Sequence, residues 1–228
     1  MNQTIIIPNR LNWIDWAKVI AITFVVFGHI PQEPGSFPQS YIVTFHMPLF
    51  IFIFGYLTKK KYLISITKCL PFFYLGYYCK QNRIISVKPQ PKDWYVCIGC
   101  MCISLAGYMI QDYMSSIPLF AFRFWLVSIT AIGGILSLCK LLDHIHSAII
   151  DNLSIGTIVI MGVHFMMIGT TNFILENILH IEHRIIYSWF IAFVLAITFE
   201  MILYPIIILF KNKFPFMLGK STHITENK

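Results

Sequence analysis

Trp13-Ile14-Asp15-Trp16-Ala17-Lys18-Val19-Ile20-Ala21-Ile22-Thr23-Phe24-Val25-Val26-Phe27-Gly28-His29-Ile30 is an apolar run with three ionisable interruptions, Asp15, Lys18 and His29. An α-helix turns about 100° per residue, so the step of eleven from Lys18 to His29 returns to within roughly 20° of one face. With a rise of about 1.5 Å per residue, the two side chains stand about 16 Å apart along that stripe. Asp15, one turn before Lys18, falls on the same stripe. Charged groups and an imidazole are costly against lipid, so such a stripe marks a functional interior by default.

The rest of the chain sets this helix in a bilayer. Of 228 residues, 57% are hydrophobic and 12% are charged. A soluble domain carries about 25% charged residues. This apolar excess implies an all-α, polytopic membrane bundle. Apolar segments fall at 13–30, 42–58, 63–79, 93–111, 117–139, 153–175 and 185–210. The expectation is six full spans plus one short partial element at 63–79, within a single domain over 1–228. Asp151 and Asn152 are placed to cap the helix that follows them. The polar N-terminus, with no small-residue cleavage site after the first segment, reads as preceding a retained span rather than a signal peptide.

The formal charge of +7 is topological in such a protein, because Lys and Arg gather on the cytoplasmic side. It does not imply nucleic acid, since no basic stripe with interleaved stacking residues lies on a soluble domain. Arg10, Lys59 to Lys61, Lys140, Lys211, Lys213 and Lys220 fit cytoplasmic N- and C-termini in a cell membrane. The loops holding Glu33 and running from Glu176 to Glu182 then face outward. Lys80, Arg83, Lys88 and Lys92 also read as cytoplasmic, so 63–79 has basic clusters at both ends and should not cross. Six cysteines lie in or beside apolar segments and read as small packing residues, with no metal site expected.

A second motif is Phe45-His46-Met47-Pro48-Leu49-Phe50-Ile51-Phe52-Ile53-Phe54-Gly55-Tyr56. Pro48 suits a first helical turn, where its missing N–H costs nothing. The loop 31–41 then brings His29 and His46 to one membrane face. A neutral imidazole can take a proton from a hydroxyl. A lone histidine at a helix end is as readily an interfacial anchor, and Lys18 as readily snorkels with Asp15 as its partner. His164 lies mid-span, where a cavity or a helix-to-helix hydrogen bond must accommodate it. Arg123 near the outer end of 117–139 is a contact for an acceptor or a snorkelling cation.

Together these motifs resemble the membrane acyltransferase 3 family. Its signature is a basic residue, ten spacers and a histidine, followed by a second-helix His-Met-Pro run with aromatics and Gly-Tyr. Ile155-Gly156-Thr157 … Met161-Gly162-Val163-His164 is a weaker third match. The resemblance implies an O-acyltransferase that moves an acyl group, commonly acetyl, from cytoplasmic acyl-CoA to a hydroxyl of a cell-surface carbohydrate. It implies His29 as the base, with Lys18 and Asp15 beside it in catalysis, and His46, His164 and Arg123 toward substrate. Cys69-Leu70-Pro71-Phe72-Phe73-Tyr74-Leu75-Gly76-Tyr77 resembles a late helix of the family, so an internal deletion near 62–70 is implied. Phe54 replaces a small polar residue, and Lys59-Lys60-Lys61 stands where an arginine-bearing element is expected. A shortened, inactive relative, or a small transporter using the Asp15, Lys18 and His29 stripe as a polar path, are the alternatives. The acceptor sugar, acyl group and oligomeric state are not legible.

Overall fold

In lipid the backbone must satisfy its own polar groups, and this chain does so with helices. The computed structural model describes residues 11–33, 35–58, 70–85, 89–110, 117–177 and 187–214. Arg10, Lys59 to Lys61, Lys88, Glu182, Lys220 and most of the segment 62–70 lie outside them. The described elements are α1 (Asn12–His29), α2 (Phe37–Leu57), α3 (Leu70–Gln81), α4 (Lys92–Met109), α5 (Ile117–Leu141), α6 (Ala148–Ile155), α7 (Thr157–Asn177) and α8 (Trp189–Lys213). A short 3-10 turn, Leu142–His144, joins α5 to α6.

Among the described residues, four helices are long and apolar enough to cross a membrane: Phe37–Leu57, Arg123–His144, Thr157–Ile174 and Trp189–Lys213. The sequence reading expects six. The helices α1 and α4, each 18 residues, fall short because polar residues dilute them: Asn12, Asp15, Lys18 and His29 in the first, Lys92 and Asp93 in the second. Large apolar side chains such as Tyr95, Ile158, Met166 and Phe173 stand more than half exposed, a surface that water does not favour and lipid does.

Helix α1 is the hub and packs against α2, α5, α6, α7 and α8. Trp13 meets Tyr56 edge-on at 5.4 Å, so the start of α1 lies beside the end of α2. Asn12 Nδ2 donates to the carbonyls of Asp143 and Ile145 at 2.7 and 3.0 Å, placing the end of α5 there too. Lys140 pairs with Asp93 at 3.6 Å, and Lys211 Nζ donates to Asn152 Oδ1 at 2.6 Å. Lys80 Nζ donates to the carbonyls of Leu57 and Thr58, both at 3.3 Å. The described lysines that bound helices thus share one end of the bundle. At the other end, Tyr187 N–H donates to Pro31 O at 3.1 Å, and Phe37 meets Tyr108 at 5.4 Å.

Two boundaries differ from the sequence reading. Helix α2 starts at Phe37, five residues early, because Pro38 rather than Pro48 supplies its first turn. Pro48 lies inside the helix and cannot bond the Thr44 carbonyl. Ser128 Oγ from α5 donates to that carbonyl at 3.1 Å and replaces the lost bond. The segment 153–175 is two helices broken at Gly156, and the cap lies earlier. Ser147, not Asp151 or Asn152, accepts from Ile149 N–H at 3.3 Å. At Gly156 a Cβ would stand 2.5 Å from Ile207 Cδ1, so glycine allows α8 to close over the break.

The described part of the proposed partial element, α3, has 12 residues. That is about 18 Å of helix against a hydrocarbon core of about 30 Å. It packs backbone to backbone on α2: a Cβ at Gly55 would collide with the Phe73 carbonyl, and one at Gly76 with the Phe52 carbonyl. Such close approach gains dispersion contacts where lipid offers no hydrophobic drive. We expect Gly76→Ala to cost about 1–3 kcal/mol. In detergent this lowers the unfolding midpoint by roughly 2–4 °C per kcal/mol. Gly99→Ala, whose Cβ meets nothing within 4 Å, should leave it unchanged or higher.

Candidate active site

The site grows from the stripe on α1. At its inner end Asp15, 4% exposed, accepts a hydrogen bond from Ser154 Oγ of α6. Lys18 Nζ lies 3.9 Å from Asp15 Oδ1, with its side chain about a quarter exposed. Lys18 lines a cavity of about 600 Å³ between α2 and α7. Ser154 and Thr157 are its other polar walls, and Phe50, Phe54 and Met161 are among its apolar ones. The break at Gly156 starts α7 afresh at Thr157, on this same wall. A helix start carries unpaired N–H groups and a partial positive charge, so it and Lys18 suit an anionic group.

At the C-terminal end of α1 three histidines from three helices meet. The His29 ring lies 6.1 Å from that of His46 and 5.3 Å from that of His164, centroid to centroid. Phe165 covers His29 at 4.6 Å. His46 and His164 are 5% and 2% exposed, whereas His29 is exposed. Gly28 lies against this pair: a Cβ there would stand in ordinary van der Waals contact, 3.8 Å from His46 Nε2 and Cε1.

The ring hydrogen bonds differ in kind. His46 Nδ1 bonds the carbonyls of Ile42 and Val43 at 3.2 and 3.1 Å. His164 Nδ1 bonds those of Ile160 and Met161 at 3.3 and 2.8 Å. A carbonyl only accepts, so both Nδ1 atoms carry hydrogen, and each neutral ring keeps its lone pair on Nε2. His29 is not tied to its own helix in this way. Gln32 Nε2 donates to Phe27 O at 3.1 Å, and Gln39 Nε2 donates to Gly28 O and Ile30 O at 3.2 and 3.3 Å. Two glutamine amides therefore take the terminal carbonyls of α1.

The structure brings Asp15 to Lys18, and His29 to His46 and His164. The level of His46 matches expectation, although it sits in the third turn of α2 rather than before it. Arg123 is not part of this grouping. Its neighbours Phe124 and Trp125 pack on Phe72 of α3 at 6.2 and 4.6 Å. Sequence reasoning missed Ser154, Gln32 and Gln39. A serine one residue before an isoleucine-glycine break carries no pattern that pairs it with a residue 139 positions away. Cys97 and Cys139 are buried between α4 and α5, and among the described residues no three His, Cys, Asp or Glu side chains are placed so that they could hold a metal ion.

Residues 11–68 match the acyltransferase 3 family, described as an acyltransferase domain. The match covers about a quarter of the chain. It carries α1 and α2, and with them Asp15, Lys18, His29 and His46. No curated protein and no solved structure matches the chain.

The different exposures of the histidines have a direct readout. Brief treatment with diethylpyrocarbonate, followed by peptide mass analysis, should modify His29 well before His46 or His164. Equal rates at all three would contradict the packing of α2 and α7 around α1.

Proposed function

We propose that this protein is a membrane-bound O-acyltransferase, moving an acyl group, acetyl by the family resemblance, from acyl-CoA to a hydroxyl of a cell-surface carbohydrate. The observation that carries this reading is the convergence of His29, His46 and His164 at one end of α1, in a chain whose first segment is of the acyltransferase 3 family. His29 acts as general base. It is accessible, unlike its two neighbours, and its ring is not anchored to its own helix. The base takes the proton as the hydroxyl oxygen attacks the thioester carbonyl, and the thiolate leaves.

Lys18 and the start of α7 receive the anionic part of the donor at the inner end of the cavity. Asp15 holds Lys18 in place, and Ser154 holds Asp15. The membrane orientation follows from the lysine-bearing end of the bundle: that end is cytoplasmic, with both termini, in a cell membrane. The α1 helix, with Lys18 facing the cavity, and α4 serve as the fifth and sixth spans, and α3 does not cross. His46 and His164 face substrate or base, and Arg123 contributes at most to acceptor contact.

A second reading is supported by one observation. The cavity of about 600 Å³ lies open between α2 and α7, whose mutual contacts are few. The family resemblance places additional helices between the second helix and the late ones. The chain is then a shortened relative that keeps the base but not the full donor site. The transporter alternative has no such support.

The test is acyl incorporation into surface polysaccharide, alongside acyl-CoA consumption by purified protein. His29→Ala should lower transfer by about 10²- to 10⁴-fold while the protein still accumulates in the membrane. Lys18→Ala should chiefly raise the KM for the donor, and His46→Ala should be milder than His29→Ala. Full activity in His29→Ala removes the central claim. Activity only after a relative's central helices are inserted favours the shortened-relative reading. Orientation is checked separately by cysteine labelling at Ser36 and Ser221 in a background stripped of native cysteines. Position 36 should label from outside and position 221 from inside.

A further inference from the structure

The Nε2 atom of His164 is the unexplained group of this molecule. It is fully buried and has no hydrogen-bond partner among the described residues. An unpaired buried acceptor costs about 1–3 kcal/mol, and one kept in a folded protein calls for a reason. Its tautomer leaves no freedom: Nδ1–H is spent on the carbonyls of Ile160 and Met161, so Nε2 offers a lone pair and nothing else.

The His29 ring lies beside it, 5.3 Å away centroid to centroid. The bond inferred below requires the His29 side chain to turn one of its nitrogens toward Nε2 of His164. No hydrogen bond among the described residues holds the His29 ring elsewhere. From α2, His46 approaches at 6.1 Å with its Nδ1 likewise spent, and from α7 Phe165 closes the remaining side.

We infer that His164 is a positioning residue for His29, accepting at Nε2 a hydrogen bond from one ring N–H of His29 and so leaving the opposite nitrogen of His29 bare to take a proton. One neutral imidazole has one N–H and one lone pair, so fixing where its hydrogen points also fixes which nitrogen is the base. When that nitrogen takes the hydroxyl proton, His29 becomes an imidazolium whose original N–H still donates to His164. The hydroxyl oxygen bonds the acyl carbon of the thioester, the carbon–sulfur bond breaks, and the proton passes from His29 to the thiolate. This is the logic of a base held by a third group, with an imidazole in place of a carboxylate. A carboxylate would add a net charge to the apolar bundle, and an imidazole does not. The catalytic consequence rests on the acyl-transfer reading; the hydrogen bond between the rings does not.

The experiment uses the full chain in lipid nanodiscs with nitrogen-15-labelled histidine. Ring nitrogen shifts should show His164 protonated at Nδ1 and bare at Nε2. They should also show a His29 resonance that moves in His164→Leu. In the activity assay His164→Leu should lose at least about 10-fold, part of the 10²- to 10⁴-fold a positioned base contributes. His164→Gln, whose side-chain oxygen can stand in for the Nε2 acceptor, should recover most of that loss. A bare Nδ1 with Nε2 protonated overturns the inference, as does His164→Leu with parental activity or His164→Gln no better than His164→Leu. If His164→Leu fails to fold, the tautomer in the unaltered chain decides. If the unaltered chain transfers no acyl group while His29 still responds to His164, the acyl-transfer reading fails and the imidazole pair stands.

Discussion

A carboxylate that sits in an apolar bundle must find partners, and Asp15 organises the inner half of this molecule by doing so. Burying it alone would cost far more than a helix packing can return. Ser154 donates to it and Lys18 lies beside it. Because Ser154 is near the end of α6, satisfying Asp15 pins that short helix against α1. The chain then breaks at Gly156 and leaves as α7 from a fixed point. Seven residues up α7, His164 arrives beside His29. The polar start of α1 and the histidine cluster at its end are therefore one structural fact: a partner for Asp15 sets where α7 begins, and that sets what α7 delivers.

The same rule governs the other polar groups in the helices. Thr23 Oγ1 donates to Glu200 Oε1 at 2.8 Å and ties α8 to the middle of α1. Ser104 Oγ accepts from Tyr41 Oη at 2.8 Å and donates to the Val127 carbonyl at 3.0 Å, joining α2, α4 and α5. Ser128 repairs the bond that Pro48 removes. Lipid surrounds most of this bundle, so apolar contact between helices gains less than in water. Close glycine approaches and interhelical hydrogen bonds select the arrangement instead.

Much of this was readable from the chain, for reasons tied to period. The eleven-residue step from Lys18 to His29 keeps one face because helical geometry is nearly invariant, and the family match falls on the same residues. That His46 shares the level of His29 followed from a short connection, even though α2 starts earlier than Pro48 suggested. What failed was whatever depended on contacts between distant residues. Pro38 and Pro48 are equally plausible at a first turn, and only Ser128 shows why the second is tolerated inside. Asp151 and Asn152 look like caps, but Ser147 lies one turn earlier, and Lys211 claims Asn152 from 59 residues away. Among the described residues the count of spans fell from six to four by length and composition because polar residues dilute both α1 and α4.

On the acyl-transfer reading proposed above, the two buried histidines bear on why the third is the one assigned as base. In a segment shielded from water, a ring N–H takes the nearest available acceptor, which on a helix is a carbonyl three or four residues back. His46 and His164 both do this, and each is thereby locked in one tautomer. His29 sits at the end of α1, where the last carbonyls have no helical N–H to receive. Left alone, those carbonyls would compete for its ring. Gln32 and Gln39 occupy the carbonyls of Phe27, Gly28 and Ile30 instead. The amides cap this end of the helix. A base must be able to give up and regain its proton at one defined nitrogen. In the proposed reading His29 has that freedom because no hydrogen bond among the described residues ties its ring to α1, while its two neighbours are locked.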